Sequence, residues 1–250
     1  MKYLVTNICY ARTGSNYFSK LLECSFKNVN VHYELFNRQH CHLNTDYSKR
    51  AEEVLDTTDL KRLAHETPQL FLEKMIEISD EPIISHKLFP EHLDLPDVFR
   101  IVDKSAFIFV LKRNFIDVYI SKKKALLLTQ SHENPWINLD TTNVKIDFNK
   151  NEFKEMENSF NDWYIKIVNY LILNDIKFQI VDYDTFHRMS IKEQQDFIKA
   201  NLSKKIPAEL LDISHQVDLL QKQDKSLDFK TKVNNYGEFM DFMINEYLQV

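Results

Sequence analysis

Apolar and polar residues follow two different spacings along this chain, and together they predict alternating strands and helices. Short, mainly apolar runs typical of strands lie at residues 4–10, 82–89, 106–111 and 177–181, and residues 28–33 form a fifth predicted strand. The run at 106–111 is apolar without alternation, as expected for a central strand of a parallel sheet that is covered on both faces. The run at 28–33 alternates polar and apolar residues instead.

Segments between these runs have helical spacing. Residues 152–173 carry apolar side chains every three or four positions, which predicts a long helix with one buried face. Further helices are predicted after the loop at 11–16, over much of 46–64, from 67 onward, after 113, at 191–200 and after 237. Strands that alternate with helices indicate an α/β fold with a mainly parallel sheet flanked by helices. No repeat or linker divides the chain, so a single domain over residues 1–250 is expected.

The composition narrows the possible functions. A net charge of −5 gives no support for a nucleic-acid or membrane-surface partner. No window approaches the roughly 18 uninterrupted apolar residues of a membrane span, and the first residues lack the apolar core of a signal peptide. The three cysteines, Cys9, Cys24 and Cys41, form no CxxC pair. We therefore expect reduced packing cysteines, a cytoplasmic protein and no metal site.

The loop at residues 11–16 is the strongest candidate for a binding site. It joins the first predicted strand to a helix, so several backbone N–H groups and the positive end of the helix dipole face one spot. Phosphate is a common ligand of this arrangement. The chain has only 2 glycines, where average usage gives roughly 17, and Gly14 is one of them. A glycine here indicates an unusual φ or a close approach to a ligand, and an ordinary strand-to-helix turn is the alternative.

Polar side chains follow the other predicted strands. Ligands of open α/β sheets bind at the carboxyl ends of the strands, and these ends carry Glu34, His86, Lys87, Arg113 and Tyr183. Cations, a carboxylate and an aromatic ring together suit a phosphate-bearing nucleotide and a reaction that needs a base. The loop lacks GxxxxGK[ST], and no aspartate pattern suits Mg²⁺, which disfavours a metal-dependent kinase.

Four short blocks of the sequence resemble motifs of the sulfotransferase family. YARTGSNYFSKLL is similar to the loop that binds the 5′-phosphosulfate group, although Ala11, Thr13 and Asn16 depart from its usual pattern. VLKRNFIDVYIS resembles the 3′-phosphate motif, in which a strand-end arginine precedes a serine by eight residues, here Arg113 and Ser121. IVDYDTF resembles the segment whose tyrosine lies near the adenine, and KTKVNNYGEF resembles the C-terminal block of bacterial and Golgi-type carbohydrate sulfotransferases.

This resemblance implies a three-layer, P-loop-like fold and the co-substrate 3′-phosphoadenylyl sulfate (PAPS). The protein would transfer the sulfuryl group to an acceptor hydroxyl or amine without a metal. Arg12 would stabilise the charge that develops on the leaving group, together with the loop backbone at Gly14. The side chains of Thr13, Ser15 and Asn16 would add hydrogen bonds.

The resemblance also implies how the rest of the nucleotide is held. Arg113, with its planar fork of donors, and Ser121 would bind the 3′-phosphate. A surface ion pair is the alternative role for Arg113. The remaining residues expected here are two aromatic rings at the adenine and two C-terminal lysines that close over the 3′-phosphate: Tyr17, Tyr183, Lys230 and Lys232.

The attacking acceptor must lose a proton, so the reaction needs a general base. We expect Glu34 to be that base, because carbohydrate sulfotransferases place a catalytic glutamate in a comparable position. His86 is the alternative, with Lys87 competing for the same place, because the small-molecule branch of the family uses a histidine in the matching strand region. The corresponding non-catalytic interpretations are a solvated Glu34 and a structural His86.

The acceptor is predicted to be a carbohydrate, a glycolipid or another small molecule, and the sequence leaves its identity and the oligomeric state open. An acceptor site would be built from the segments at 46–78 and 131–142. Two other functions remain alternatives. One is a P-loop-like nucleotide or small-molecule kinase, and the other is a nucleotide-binding protein without turnover.

Overall fold

The computed structural model describes residues 1–38, 41, 43, 45–55, 60–129, 141–213, 226 and 228–247. Five strands form one sheet: β1 (Tyr3–Ile8), β2 (Val29–Val31), β3 (Ile83–Leu88), β4 (Phe107–Lys112) and β5 (Phe178–Asp182). All pairings are parallel, and the strand order is β2-β3-β1-β4-β5. Helices flank this sheet, so the predicted α/β fold with a parallel sheet is confirmed.

The helices follow the predicted spacing with two additions. The α-helices of the described residues are α1 (Ser15–Ser25), α2 (Thr45–Leu55), α3 (Leu60–Glu66), α4 (Pro68–Ile78), α5 (Leu95–Lys104), α6 (Phe115–Thr129), α7 (Lys150–Leu173), α8 (Tyr183–Arg188), α9 (Ile191–Leu202) and α10 (Tyr236–Phe242). The spacing of apolar residues does not predict α5 or α8. Both begin at an aspartate N-cap, Asp94 and Asp182, whose side chain accepts from a backbone amide of the first turn.

The two faces of the sheet are both covered. Alternate strand residues point to opposite faces. On one face, Val5 and Phe107 pack with Phe18 of α1 in the hydrophobic core. On the other face, the hydroxyl of Thr6 lies 2.7 Å from the hydroxyl of Ser105, which follows α5. Burial of both faces explains the continuous apolar run of β4, and every residue of β3 is buried as well.

The strand order creates a topological switch between β1 and β4. The chain leaves β1 toward β2 on one side of the sheet, and it leaves β4 toward β5 on the other side. Ligands of open α/β sheets bind in the crevice at such a point. Arg12 follows β1 and Arg113 follows β4, so two cationic residues flank the switch point.

Contacts within the chain define two compact units. The first comprises Met1–Arg113 and Lys166–Leu219, and the second comprises Asn114–Ile165 and Leu220–Val250. The first unit contains the whole sheet, and the second contains α6 and α10. The single domain expected from the sequence stays a prediction. None of the described helices is long and apolar enough to cross a membrane.

Candidate functional site

The loop between β1 and α1 forms a tight turn. Arg12 and Gly14 both have left-handed backbone angles, with φ of 73° and 83°. The backbone amide and the hydroxyl of Thr13 both donate to the carbonyl of Tyr10, at 3.3 and 2.7 Å. Phe18 N–H then donates to the carbonyl of Gly14 at 3.0 Å, which starts the helix. Turns of this kind direct successive N–H groups into a concavity that suits an anion.

Gly14 is required for two separate reasons. Its φ lies in the region that favours glycine, which confirms the unusual backbone predicted from the sequence. A Cβ at this position would also lie 2.1 Å from Cδ2 of the Tyr183 ring. The ring of Tyr183 therefore packs directly on the loop, a contact that depends on the position of β5 in the sheet.

Arg113 connects the end of β4 to this loop. Its Nη1 donates to the carbonyl of Arg12 at 3.2 Å, and its guanidinium carbon lies 4.9 Å from the centroid of the Tyr183 ring. Its Nε is buried and has no hydrogen-bond partner among the described residues. Burial, followed by the positive charge of Arg113, lowers the pKa of Arg12. Two guanidinium groups at one helix N-terminus favour an anionic ligand.

Aromatic rings line the other side of the loop. The rings of Tyr183 and His187 stack with centroids 5.3 Å apart, and Tyr17 meets both edge-on at 6.5 and 5.0 Å. The hydroxyl of Tyr17 donates to Oε1 of Gln194 at 2.8 Å. Burial raises the pKa of both tyrosines. The two residues expected at the adenine thus lie together beside Gly14, where they line a small cleft.

Lys87 reaches the same edge of the sheet from β3. Its side chain is fully buried, and its Nζ donates to Oδ1 of Asn16 at 2.5 Å. The same Nζ lies 3.5 Å from Oε1 of Glu34 and 5.2 Å from the centroid of the Tyr33 ring. Burial lowers the pKa of Lys87, and the charge of Glu34 opposes this effect. Lys87 therefore links the start of α1 to Glu34, a role that its sequence position does not predict.

Glu34 is held on both of its carboxylate oxygens. Besides the ammonium of Lys87 near Oε1, Nδ2 of Asn37 donates to Oε2 at 2.6 Å. Nε2 of His92 lies 4.0 Å from Oε2. Glu34 is only 7% exposed, so it is not the solvated loop carboxylate that the sequence left open. These contacts fix the position of the Glu34 carboxylate at this edge of the sheet.

His86 lies next to Lys87 in β3 but on the opposite face of the sheet. Its Nε2 lies 2.9 Å from the hydroxyl of Thr6, and its ring packs edge-on against Phe36 at 5.7 Å. Burial, followed by the charge of His32, lowers the pKa of His86 to about 3. The structure does not bring His86 to the loop. This geometry favours Glu34 over His86 as the base.

Four other residues predicted to bind the nucleotide lie at the start of α1 or in the second unit. Ser15 is buried as the first residue of α1. Ser121, Lys230 and Lys232 belong to the second unit, so their proposed contacts with the nucleotide stay predictions. Within that unit Ser121 is half-buried on α6, Lys230 is exposed, and Nζ of Lys232 lies 3.8 Å from Oδ1 of Asp117.

Two further expectations concern the acceptor and metals. Of the predicted acceptor segment at 131–142, residues 131–140 lie outside the described residues. Within the part of the chain that the structure describes, no group of three or more His, Cys, Asp and Glu side chains is arranged to hold a metal ion. Whether the reaction itself uses a metal is not tested by this finding, so the predicted metal-independent reaction stays a prediction.

The assembled site can bind an anion on one side and accept a proton on the other. Arg12, Arg113 and the loop amides form the anionic side, and Glu34 with Lys87 forms the second side. No family model matches the chain, and no curated protein matches it. The inference of function therefore depends on this geometry and on the four motif resemblances.

Proposed function

We propose that this protein is a sulfotransferase that moves a sulfuryl group from PAPS to an acceptor hydroxyl, as a cytoplasmic enzyme that acts on a carbohydrate or a similar small molecule. One observation carries the proposal. Two arginines, Arg12 and Arg113, lie around an anion-binding turn at the carboxyl ends of the strands. At the same edge of the sheet, the buried carboxylate of Glu34 follows β2 and lies near Lys87 of β3. The motif resemblances supply the identity of the donor.

The cationic side is the proposed binding site for the donor PAPS. Arg12 and the loop amides bind the 5′-phosphosulfate group, Arg113 binds the 3′-phosphate, and Tyr17 and Tyr183 flank the adenine. The buried Nε of Arg113 supports this assignment, because it has no hydrogen-bond partner in the described part of the chain. Buried polar groups are nearly always hydrogen-bonded, so an orphaned guanidinium N–H favours a missing anionic partner.

The proposed reaction is an in-line displacement. The acceptor oxygen attacks sulfur, the bond between sulfur and the bridging oxygen of the 5′-phosphate breaks, and 3′-phosphoadenosine 5′-phosphate (PAP) leaves with the electron pair. Glu34 takes the acceptor proton as general base. A sulfuryl group carries less negative charge than a phosphoryl group, so cationic side chains suffice to stabilise the transition state. Lys87 contributes by fixing both Glu34 and Asn16.

A transfer assay tests the proposal. Purified protein is incubated with ³⁵S-labelled PAPS and a panel of neutral sugars, a tyrosine peptide and lipid alcohols, and labelled product and released PAP are quantified. We expect a labelled product that forms together with an equal amount of PAP. Turnover of ATP with Mg²⁺ in place of PAPS would favour the kinase alternative. Tight binding of PAP without transfer to any acceptor would favour a nucleotide-binding protein without turnover.

A further inference from the structure

One buried side chain of α9, that of Gln194, contacts both helices that carry the aromatic rings of the site. Its Oε1 accepts from the hydroxyl of Tyr17 on α1 at 2.8 Å. Its Nε2 donates to the carbonyl of Phe186 on α8 at 2.9 Å and to the carbonyl of Met189, the residue after α8, at 3.2 Å. Gln194 is only 1% exposed, so these three hydrogen bonds join α1, α8 and α9 inside the first unit.

The start of α9 fixes where Gln194 lies. The hydroxyl of Ser190 accepts from the amide of Glu193 at 3.3 Å, and the carboxylate of Glu193 accepts from the amide of Ser190 at 2.7 Å. This capping box defines the first turn of the helix. The amide of the next residue, Gln194, donates to the carbonyl of Ser190 at 3.0 Å. The position of Gln194 is therefore set by local sequence before any ligand binds.

The amide group of Gln194 has one favourable orientation. An amide nitrogen has two N–H donors, and both are used by the carbonyls of Phe186 and Met189. The oxygen must then face Tyr17, and the hydroxyl of Tyr17 must be the donor. Carbonyls at the end of a helix lack partners within the helix, so Gln194 also completes the end of α8.

The arrangement of three rings depends on the two helices that Gln194 joins. Tyr17 belongs to α1, whereas Tyr183 and His187 belong to α8. Tyr17 meets the other two rings edge-on, at 6.5 and 5.0 Å between centroids, and those two rings stack at 5.3 Å. Because the rings come from separate helices, the placement of α1 relative to α8 sets the angle between them.

We infer that Gln194 is a positioning residue for the base of the nucleotide and that it acts by holding Tyr17 edge-on to the rings of α8. This inference rests on the proposed function, which places Tyr17 and Tyr183 at the adenine. A ring that is already held in its binding orientation loses less conformational freedom when the ligand binds. Loss of Gln194 should therefore weaken the recognition of the base and spare that of the phosphates, which are assigned to Arg12 and Arg113.

The neighbouring residue provides a matched control. Gln195 is also buried on α9, at 7% exposure, and its Nε2 donates to the hydroxyl of Ser25 at 3.1 Å. Ser25 is the last residue of α1, whereas Tyr17 lies in the first turn of the same helix. Both glutamines thus join α9 to α1, but only Gln194 reaches the end that carries a ring of the site.

Calorimetric titrations with two probes test the inference. The probes are PAP and methyl riboside 3,5-bisphosphate, which carries two phosphates and no base. The proteins are wild type, Gln194→Leu, Tyr17→Phe, the double variant and Gln195→Leu. We expect Gln194→Leu to weaken PAP roughly three- to tenfold and to leave the probe without a base unchanged. Gln195→Leu should bind both probes as wild type does.

The phenylalanine variant tests the same hydrogen bond with the ring retained. Tyr17→Phe removes only the hydroxyl, so it should also weaken PAP selectively, even if Gln194→Leu does not fold. The double variant should bind PAP no more weakly than Gln194→Leu, because both substitutions break one shared contact. Additive losses in the double variant would contradict an action of Gln194 through Tyr17.

Further outcomes would overturn the inference. These are equal losses for the two probes, an unchanged affinity of Tyr17→Phe or Gln194→Leu for PAP, or an equal loss of PAP binding in Gln195→Leu. Equal binding of the two probes to wild type would show that the base is not recognised, while the assigned phosphate contacts would stand. No binding of PAP to wild type would overturn the proposed donor together with this inference.

Discussion

The strand ends on the two sides of β1 are built from different chemistry. Toward β4 and β5 the site consists of a guanidinium and an aromatic ring, with Arg113 lying 4.9 Å above Tyr183. Toward β3 and β2 it consists of an ion pair, with Lys87 lying 3.5 Å from Glu34. The first side is suited to hold negative charge, and the second is suited to move a proton. The loop at Arg12 lies between them, because β1 is the central strand.

If the protein has the proposed function, nucleotide binding and sulfuryl transfer can be separated by substitution. Substitutions on the β4 and β5 side are expected to weaken nucleotide binding. Substitutions on the β3 and β2 side are expected to slow the transfer of the sulfuryl group. Two adjacent residues of β3 also differ in this way. Lys87 contacts Asn16 at the loop, whereas His86 contacts Thr6 on the other face of the sheet.

The largest effect is expected for Glu34→Gln. A positioned general base typically contributes a factor of about 10² to 10⁴, so the transfer rate should fall by that amount. The affinity for PAP should not change, because Glu34 is on the proton-transfer side. The measurement is the rate of ³⁵S transfer, with calorimetric titration of PAP and Glu66→Gln as an exposed control. A transfer rate equal to that of wild type would remove Glu34 from the mechanism.

A smaller effect is expected for Arg113→Ala. Loss of charged hydrogen bonds to a phosphate should weaken PAP binding roughly 10- to 100-fold. The matched control is Arg62→Ala, which removes an exposed arginine of α3. Calorimetry at fixed ionic strength gives the two dissociation constants. If both substitutions change the affinity equally, Arg113 has no specific role at the 3′-phosphate.

A third prediction concerns the loop itself. Gly14→Ala forces a side chain into a left-handed conformation and against the ring of Tyr183, so the free energy of unfolding should fall by about 1–3 kcal/mol. Gly237 is the natural control, because a Cβ there has no atom within 4 Å. Urea denaturation of both alanine variants measures the difference. Equal stability of the two variants would show that the turn can relax without cost.

The smallest effect is expected from the titration of His86. Its pKa is lowered from 6.5 to about 3 by burial, so below pH 6.5 the unfolded chain binds a proton that the folded chain refuses. Stability therefore falls as pH falls through this window. Between pH 6.5 and 5.5, wild type should lose about 1 kcal/mol more than His86→Gln in urea denaturation.

The same variant distinguishes a structural histidine from a base. His86→Gln should retain sulfuryl transfer at a rate close to that of wild type, because His86 lies on the face opposite Lys87. A folded variant with the pH dependence of wild type, or one that has lost transfer, would contradict the structural role and restore His86 as a candidate base.

The sequence predicts much of the fold but only part of the site. Apolar runs locate four of the five strands in the described residues, an alternating run locates β2, and the rarity of glycine correctly marks Gly14 as a backbone requirement. Helix α5 is missed although Val98, Ile101 and Val102 have helical spacing and the Asp94 N-cap with a proline in the first turn marks a helix start. Helix α8 is missed because its residues directly continue β5.

The contacts of Lys87 cannot be predicted from sequence spacing. Lys87 and His86 are adjacent, and only the pairing of β3 with β1 decides which of them faces α1. The packing of Tyr183 on Gly14 likewise depends on where β5 lies in the sheet.

Thermal unfolding in the presence of ligand tests whether the site binds a 3′-phosphorylated adenine nucleotide. A ligand present at about 100 times its dissociation constant stabilises a protein by about 2.7 kcal/mol. We predict that PAP raises the unfolding temperature of wild type and that ATP with Mg²⁺ does so less. Stabilisation by ATP with Mg²⁺, together with no effect of PAP, would contradict the account.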